Sequence, residues 1–298
     1  DLRFQQPLFL FYLTILKLTI HRDFPKAYWL ALAHSGTVLF TTQTLGLNPE
    51  ILTEDSILSR LNERFDITQN KEKVSHLFFY GAGCGTDRMK NFLTKILENY
   101  FVNAIVAVHE DTYAAIYATC GHNQAAIVSI LGTGSNCSYY NGHEVYQKVQ
   151  SLGYIAMDDC SGNFFGRLII RSYYFNKMPV ELAIILEKDY DLDADSIKHN
   201  LYKEANPNAY LATYAKFLIE NKEHPYLQSM ILENIESFLE NYIKQYENFR
   251  NVPLHFVGSI AFYLKDELEL VFERHNLTVG EVYRRPIDGL IRHHIANV

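Results

Sequence analysis

The chain has 298 residues, 48% hydrophobic and 20% charged, with a formal net charge of −7. That length is long for one compact core and comfortable for two domains, and the composition is that of a folded globular chain rather than a disordered one. An acidic balance with no basic run excludes non-specific nucleic-acid binding as a main function. The 21 Tyr and 19 Phe call for large packed interiors, because aromatic side chains bury big areas.

Residues 8–20 are strongly apolar, but about 13 residues interrupted by Lys17 are short for a membrane span. Asp1, Leu2 and Arg3 followed by two Gln do not supply the basic start of a signal peptide. The stretch reads as a buried strand behind an irregular extension. The chain does not begin with Met, which leaves the true start open. Cys84, Cys120, Cys137 and Cys160 form no CxxC pair. They read as four free thiols in a reducing cytosol, with disulfides as the alternative.

Short apolar or β-branched runs bounded by turn residues predict strands over 15–20, 27–33, 37–42, 74–80 and 104–108. A second set covers 125–131, 137–140, 144–149, 254–257 and 280–283. Helical spacing appears between them. Thr53 caps a helix carrying Ile57, Leu61 and Phe65, and Thr86 caps one carrying Met89, Leu93 and Leu97. Further helices are expected over 161–174, 210–221 and 226–246. Each half reads β-β-β-α and then further α and β elements. That order, met twice, predicts a duplicated α/β domain with a ligand cleft between lobes.

Leu131-Gly132-Thr133-Gly134-Ser135-Asn136 joins two strands, so it is not a Rossmann loop, and it lacks the Lys of a P-loop. Its glycines let backbone amides approach an anion and its hydroxyls add donors; the plain alternative is a tight hairpin turn. Asp158 and Asp159 precede a helix. They are either capping carboxylates, or one orients a substrate hydroxyl and the other reaches a hydrated Mg²⁺. Asp111 follows a strand and opens a helix, as an N-cap or as a general base. Gly81, Gly83 and Gly85 end a strand and imply close backbone approach or positive φ. The segment 255–261 is a strand-to-turn step against which an adenine ring could lie. The histidines make no ligand set, and no serine sits in a nucleophile elbow.

These segments, together with Thr44 to Pro49, residues 152–155 and residues 288–291, occur in a specific order. In that order the chain resembles the N-acetylglucosamine kinase-like branch of the BadF/BadG ATPase family, within the sugar kinase, actin and heat-shock ATPase superfamily. Proteins of the Bacteroidetes type are the most similar. The resemblance implies an α/β fold of two ribonuclease H-like, actin-like ATPase domains with an inter-lobe cleft. The first would span residues 1–112 and be completed by the helix at 286–298; the second would span 113–285. It implies a cytoplasmic kinase, a transferase that binds ATP and Mg²⁺ and phosphorylates N-acetylglucosamine or a related amino sugar. No nucleic-acid or membrane partner is expected, and a homodimer is left open.

Residue by residue, the resemblance makes Asp111 the catalytic base. Asn48, Thr133, Asn136 and Asp158 would hold the sugar. Lys26, Gly132, Thr133, Gly134, Ser135, Gly258 and Ser259 would hold the nucleotide, and Asp23 and Asp159 the metal. Two departures stand out. The family's first phosphate loop, Asp-x-Gly-x-Thr-Lys, is here His21-Arg22-Asp23-Phe24-Pro25-Lys26, and Pro25 has no amide N–H to donate. The family's Gly-Asp-Glu-Gly-Ser run is Met157-Asp158-Asp159-Cys160-Ser161. The alternatives are a catalytically impaired sugar- or nucleotide-binding pseudokinase, or an ATPase of the BadF/BadG type.

Overall fold

The computed structural model describes residues 13–18, 26–121 and 123–297. The sequence expected as the first phosphate loop, with Asp23, lies outside the described residues, except for the backbone of Lys26 at a strand start. The chain divides into two compact units, Asp1–Ala114 with Ile291–Val298, and Ala115–Leu290.

The first unit contains β1 (Leu13–Leu18), β2 (Lys26–Ala33), β3 (Val38–Leu45), α1 (Glu54–Asn62) and α2 (Phe65–Thr68). It continues through β4 (Val74–Tyr80), α3 (Asp87–Tyr100), β5 (Ile105–His109) and the first turn of α4 (Asp111–Thr119). Its sheet runs β3-β2-β1-β4-β5. The first three strands form an antiparallel meander, and β4 and β5 add in parallel. Trp29, Leu77 and Phe79 from the sheet pack with Ile57, Leu61, Leu93 and Leu97 from α1 and α3. Those helices start where side-chain hydroxyls can satisfy free N-terminal amides: Thr53 Oγ1 accepts from Ser56 N, and Thr86 Oγ1 from Met89 N.

The second unit takes the chain from α4 into β6 (Ala126–Leu131), β7 (Ser135–Tyr140) and β8 (Val145–Tyr146). Six helices follow: α5 (Gly162–Tyr174), α6 (Val180–Asp189), α7 (Ala194–Tyr202), α8 (Pro207–Thr213), α9 (Ala215–Glu220) and α10 (Pro225–Asn241). The unit closes with β9 (Leu254–Val257), α11 (Ser259–Tyr263), α12 (Lys265–Arg274), β10 (Val279–Tyr283) and the start of α13 (Pro286–Asn297). Its sheet order, β8-β7-β6-β9-β10, repeats that of the first unit, again with three antiparallel strands and two parallel ones. Along α10, Leu227, Ile231, Ile235 and Leu239 fall on one buried face at four-residue spacing.

Several sequence expectations need correction. The strand expected over 144–149 pairs only at Val145 and Tyr146, because the Lys148 amide leaves the ladder for the Tyr246 hydroxyl, 3.3 Å away. The helix expected over 210–221 is two helices that meet at Tyr214, whose amide bonds back three residues to Leu211 O. Leu211 O lies against Gly166 of α5, where a Cβ would meet it at 1.8 Å. The helix expected to reach residue 246 stops at Asn241, before a 3-10 turn at Ile243–Gln245. The segment after β9 is a helix start rather than a bare turn.

Candidate active site

The first unit gathers Asn48, the glycine turn after β4 and the end of β5. Asn48 Oδ1 accepts from Glu50 N at 2.9 Å, an Asx turn that fixes the side chain. Beside it, Gly83 holds φ at +82°, and a Cβ there would meet Asn48 Oδ1 at 1.9 Å. Only glycine fits such an approach. Gly81 N donates to His109 O at 3.0 Å, and a Cβ on Gly85 would lie 3.4 Å from Glu110 Oε1. One strand edge thus carries Asn48, the turn and Asp111. Asp111 is the partly buried first residue of α4, where the helix dipole favours a carboxylate.

Behind this edge the α13 part of the unit is pinned to the sheet. Tyr80 Oη and His294 Nε2, both buried, are hydrogen-bonded at 2.9 Å, and the His294 ring lies 4.0 Å from Phe78 by centroids. Burial, then the neighbouring His293 and His109, push the His294 imidazole down to about 3. Burial and Lys90 likewise push His109 down.

The second unit gathers the remaining described candidates. Residues 132–134 connect β6 to β7, with Leu131 paired to Ser135. Gly162 N donates to Gly132 O at 2.8 Å and Asn163 N to Thr133 O at 2.9 Å. The first amides of α5, which a helix leaves without internal partners, therefore hold two loop carbonyls. In a trans peptide the N–H points opposite its carbonyl, so the Thr133 and Gly134 amides face away from α5. That is the arrangement an anion needs. Gly258, at φ +128°, would bring a Cβ to 2.1 Å from Leu131 O, so the β9–α11 junction rests against the same loop. Ser259 is exposed at this junction. Asn136 Oδ1 accepts from Ser138 Oγ at 2.9 Å and Gln147 Nε2 at 3.2 Å.

Asp158 is buried, and a Cβ on Gly134 would meet its Oδ2 at 2.7 Å. It sits at φ +66° and Cys160 at φ +59°, conformations that cost most non-glycine residues about 1–2 kcal/mol. The Asp pair does not cap α5, which corrects that reading: Ser161 Oγ is the cap, accepting from Phe164 N at 3.3 Å. Asp159 Oδ2 accepts from Tyr242 Oη at 2.8 Å. A carboxylate offers about four lone-pair sites, so this bond fixes the group and leaves sites for a hydrated Mg²⁺.

Among the described residues, the fold brings one histidine together with two carboxylates in a way that sequence spacing hides. His275, Glu236 and Glu240 could offer three ligand atoms within 4.8 Å of one another. The Lys244 ammonium already stands there, paired to Glu240 and 3.2 Å from His275 Nδ1, while His275 Nε2 pairs with Glu236. The group is an ion-pair network carrying its own cation. All four cysteines are buried. No helix of the described residues is long and apolar enough to cross a membrane.

A proposed N-acetylglucosamine kinase from Porphyromonas gingivalis superimposes with a TM-score of 0.85 at 30% identity, over 95% of this chain and 99% of that one. The chain belongs to this N-acetylglucosamine kinase-like family of sugar kinases. It is a kinase-type enzyme, a phosphotransferase with the mixed α/β fold of the actin-like ATPases. A second proposed N-acetylglucosamine kinase, from Chromobacterium violaceum, shares the fold at 15% identity and a TM-score of 0.62, over 94% of this chain and 98% of that one. So does a ROK family glucokinase from Streptomyces griseus, solved with glucose and AMPPNP, at 14% identity and 0.59, over 95% and 97%. No protein-family model and no curated protein matches the chain.

Three site-bordering residues escape sequence reasoning: Glu110, Asn163 and Tyr242. Asn163 had a readable signal. It stands two residues after the Ser161 cap, a polar amide buried in the first turn of α5.

Proposed function

We propose that this kinase transfers the γ-phosphoryl group of ATP to a hydroxyl of N-acetylglucosamine or a related amino sugar, on two ribonuclease H-like domains. The observation that carries the reading is the 30% identity, across nearly the whole of both chains, with the Porphyromonas gingivalis protein. The geometry of the β6–β7 loop supports it, because two backbone amides turned one way suit a phosphate. The twice-repeated sheet order supports the domain reading.

In this reading Asp111 takes the proton of the attacking hydroxyl. Asn48, Thr133, Asn136 and Asp158 fix the sugar. Gly132 to Ser135 cradle phosphate, Gly258 and Ser259 lie along the adenosine, and Lys26 adds a positive charge. Asp159, oriented by Tyr242, and Asp23 are the carboxylates that would hold Mg²⁺. The metal neutralises phosphate charge, and positioning supplies most of the remaining rate enhancement. Use of ATP as the phosphoryl donor suits a protein of the cytoplasm.

Phosphorus NMR of the protein with ATP, Mg²⁺ and a panel of amino sugars tests the assignment. A sugar-phosphate resonance that appears with N-acetylglucosamine and fails with its deoxy analogue at the acceptor carbon is the expected result. ATP hydrolysis indifferent to every sugar would overturn it.

A further inference from the structure

Asn163 is fully buried, on the N-terminal turn of α5. Its Nδ2 donates to Thr133 O at 2.7 Å and to Asp158 Oδ2 at 3.0 Å. Its main-chain amide also reaches Thr133 O, at 2.9 Å. Both partners of Nδ2 are acceptors, a carbonyl and a carboxylate, so chemistry fixes which way the amide faces. Its Oδ1 is buried with no hydrogen-bond partner among the described residues, and so is the hydroxyl of Ser135, two residues along the loop from Thr133. Unpaired buried polar atoms are costly and uncommon. Two of them stand at this one loop.

We infer that Asn163 is a positioning residue for the acceptor sugar: it clamps the Asp158 carboxylate to the β6–β7 loop and sets the carboxylate angle that the sugar meets. This rests on the reading of Asp158 as a sugar ligand. The clamp follows from bond counting. Asp158 lies in a left-handed backbone conformation, so its direction depends on side-chain contacts. One contact is the glycine face of Gly134, where a Cβ would collide with Oδ2 at 2.7 Å. The other is the Nδ2 bond. Together they fix Oδ2 and leave Oδ1 to a ligand hydroxyl. The same Nδ2 group fixes Thr133 O, and through the trans peptide the opposite-facing Gly134 amide. Thr133 O also accepts from the Asn163 main-chain amide, so the phosphate side of the loop keeps a donor when the side chain is lost.

The test is a double-mutant cycle read by calorimetry of N-acetylglucosamine binding, with thermal unfolding as the check on folding. Asn163→Leu keeps the branching and approximate volume of the side chain and removes the donors; Asn163→Ala is the smaller second variant, for use if Leu does not fold. Either should weaken sugar affinity by at least about tenfold, the range of one hydrogen bond to a charged group, while ATP affinity moves by less than about threefold. In an Asp158→Asn background the same substitution should cost less than about half as much on a logarithmic scale, because the two residues act as one unit. If Asp158→Asn weakens sugar binding and the Asn163 variants do not, or the two effects simply add, the inference fails and Asp158 remains a ligand. If Asp158→Asn leaves sugar affinity unchanged, the reading of Asp158 fails and takes the clamp with it.

Discussion

Asn48 Oδ1 occupies the space beside the Gly83 α-carbon, where a Cβ would lie 1.9 Å away, and Gly83 itself stands at φ +82°. A proposed sugar ligand is thus held by a glycine turn 35 residues further along (83 minus 48). Gly83→Ala should cost about 1–2 kcal/mol in backbone strain and push the Asn48 side chain from its seat. Sugar affinity should drop by at least about tenfold, with the melting temperature lowered. Calorimetry beside a thermal melt checks it; an unchanged sugar affinity would detach Asn48 from the site.

Acid should loosen the first unit through His294. Burial keeps its imidazole neutral, with the protonation midpoint pushed down to about 3, whereas an unfolded histidine titrates near about 6.5. Between those values the unfolded chain binds a proton that the folded chain refuses. Stability is therefore fully present above about pH 6.5 and falls as pH drops toward about 3, by up to about 1.4 kcal/mol per pH unit. His109, also pushed down, adds slope of the same sign. Urea unfolding between pH 7 and pH 4 should show this fall, and His294→Gln should flatten it. An equal slope in the variant would contradict the assignment.

The thiols should be silent in the native protein. All four cysteines are buried, and burial pushes Cys120 up to about 11, Cys137 up to about 12 and Cys160 higher still. The thiolate is the reactive form. A thiol-disulfide reagent at neutral pH should find none reacting quickly, and all four after denaturation. Cys160, beside the candidate carboxylates, is protected like the others; rapid native labelling there would mean that this loop opens.

Tyr242 orients Asp159 through the 2.8 Å hydroxyl bond. Tyr242→Phe keeps the ring and its stack on Phe238, 4.7 Å away by centroids. The concentration of Mg²⁺ needed for half-maximal activity should rise by about threefold to tenfold, the worth of one ordinary hydrogen bond, with sugar affinity unchanged. A titration of activity against Mg²⁺ measures it. No change would remove Asp159 from the metal site.

Local chemistry is what the sequence made readable. Thr53 and Thr86 sit where helices must begin, because a hydroxyl can satisfy free amides within three residues, and two glycines between two strand runs mark the 132–134 turn. Repetition of strand order was legible too, since strands announce themselves by apolar runs. Contacts across long separations were hidden. Asn163 meets a carbonyl 30 residues back, Tyr242 a carboxylate 83 residues back, and His294 a tyrosine 214 residues back. No periodicity encodes those pairs; they exist only once the sheets have formed. The helix break at Tyr214 was hidden too: the carbonyl at which the chain tightens, Leu211 O, lies against Gly166 on another helix.

Sugar phosphorylation with Asp111 as the base is open to one paired measurement. ADP release is followed with ATP and Mg²⁺, with and without N-acetylglucosamine, for the natural chain and for Asp111→Asn. ADP release should depend on the sugar in the natural chain, and kcat should fall by about 10²- to 10⁴-fold in the variant, the range of general-base catalysis. Sugar affinity should stay within about threefold, since the proton moves only as the transition state forms. Turnover in Asp111→Asn close to that of the natural chain, or ADP release that ignores the sugar in both, would contradict it.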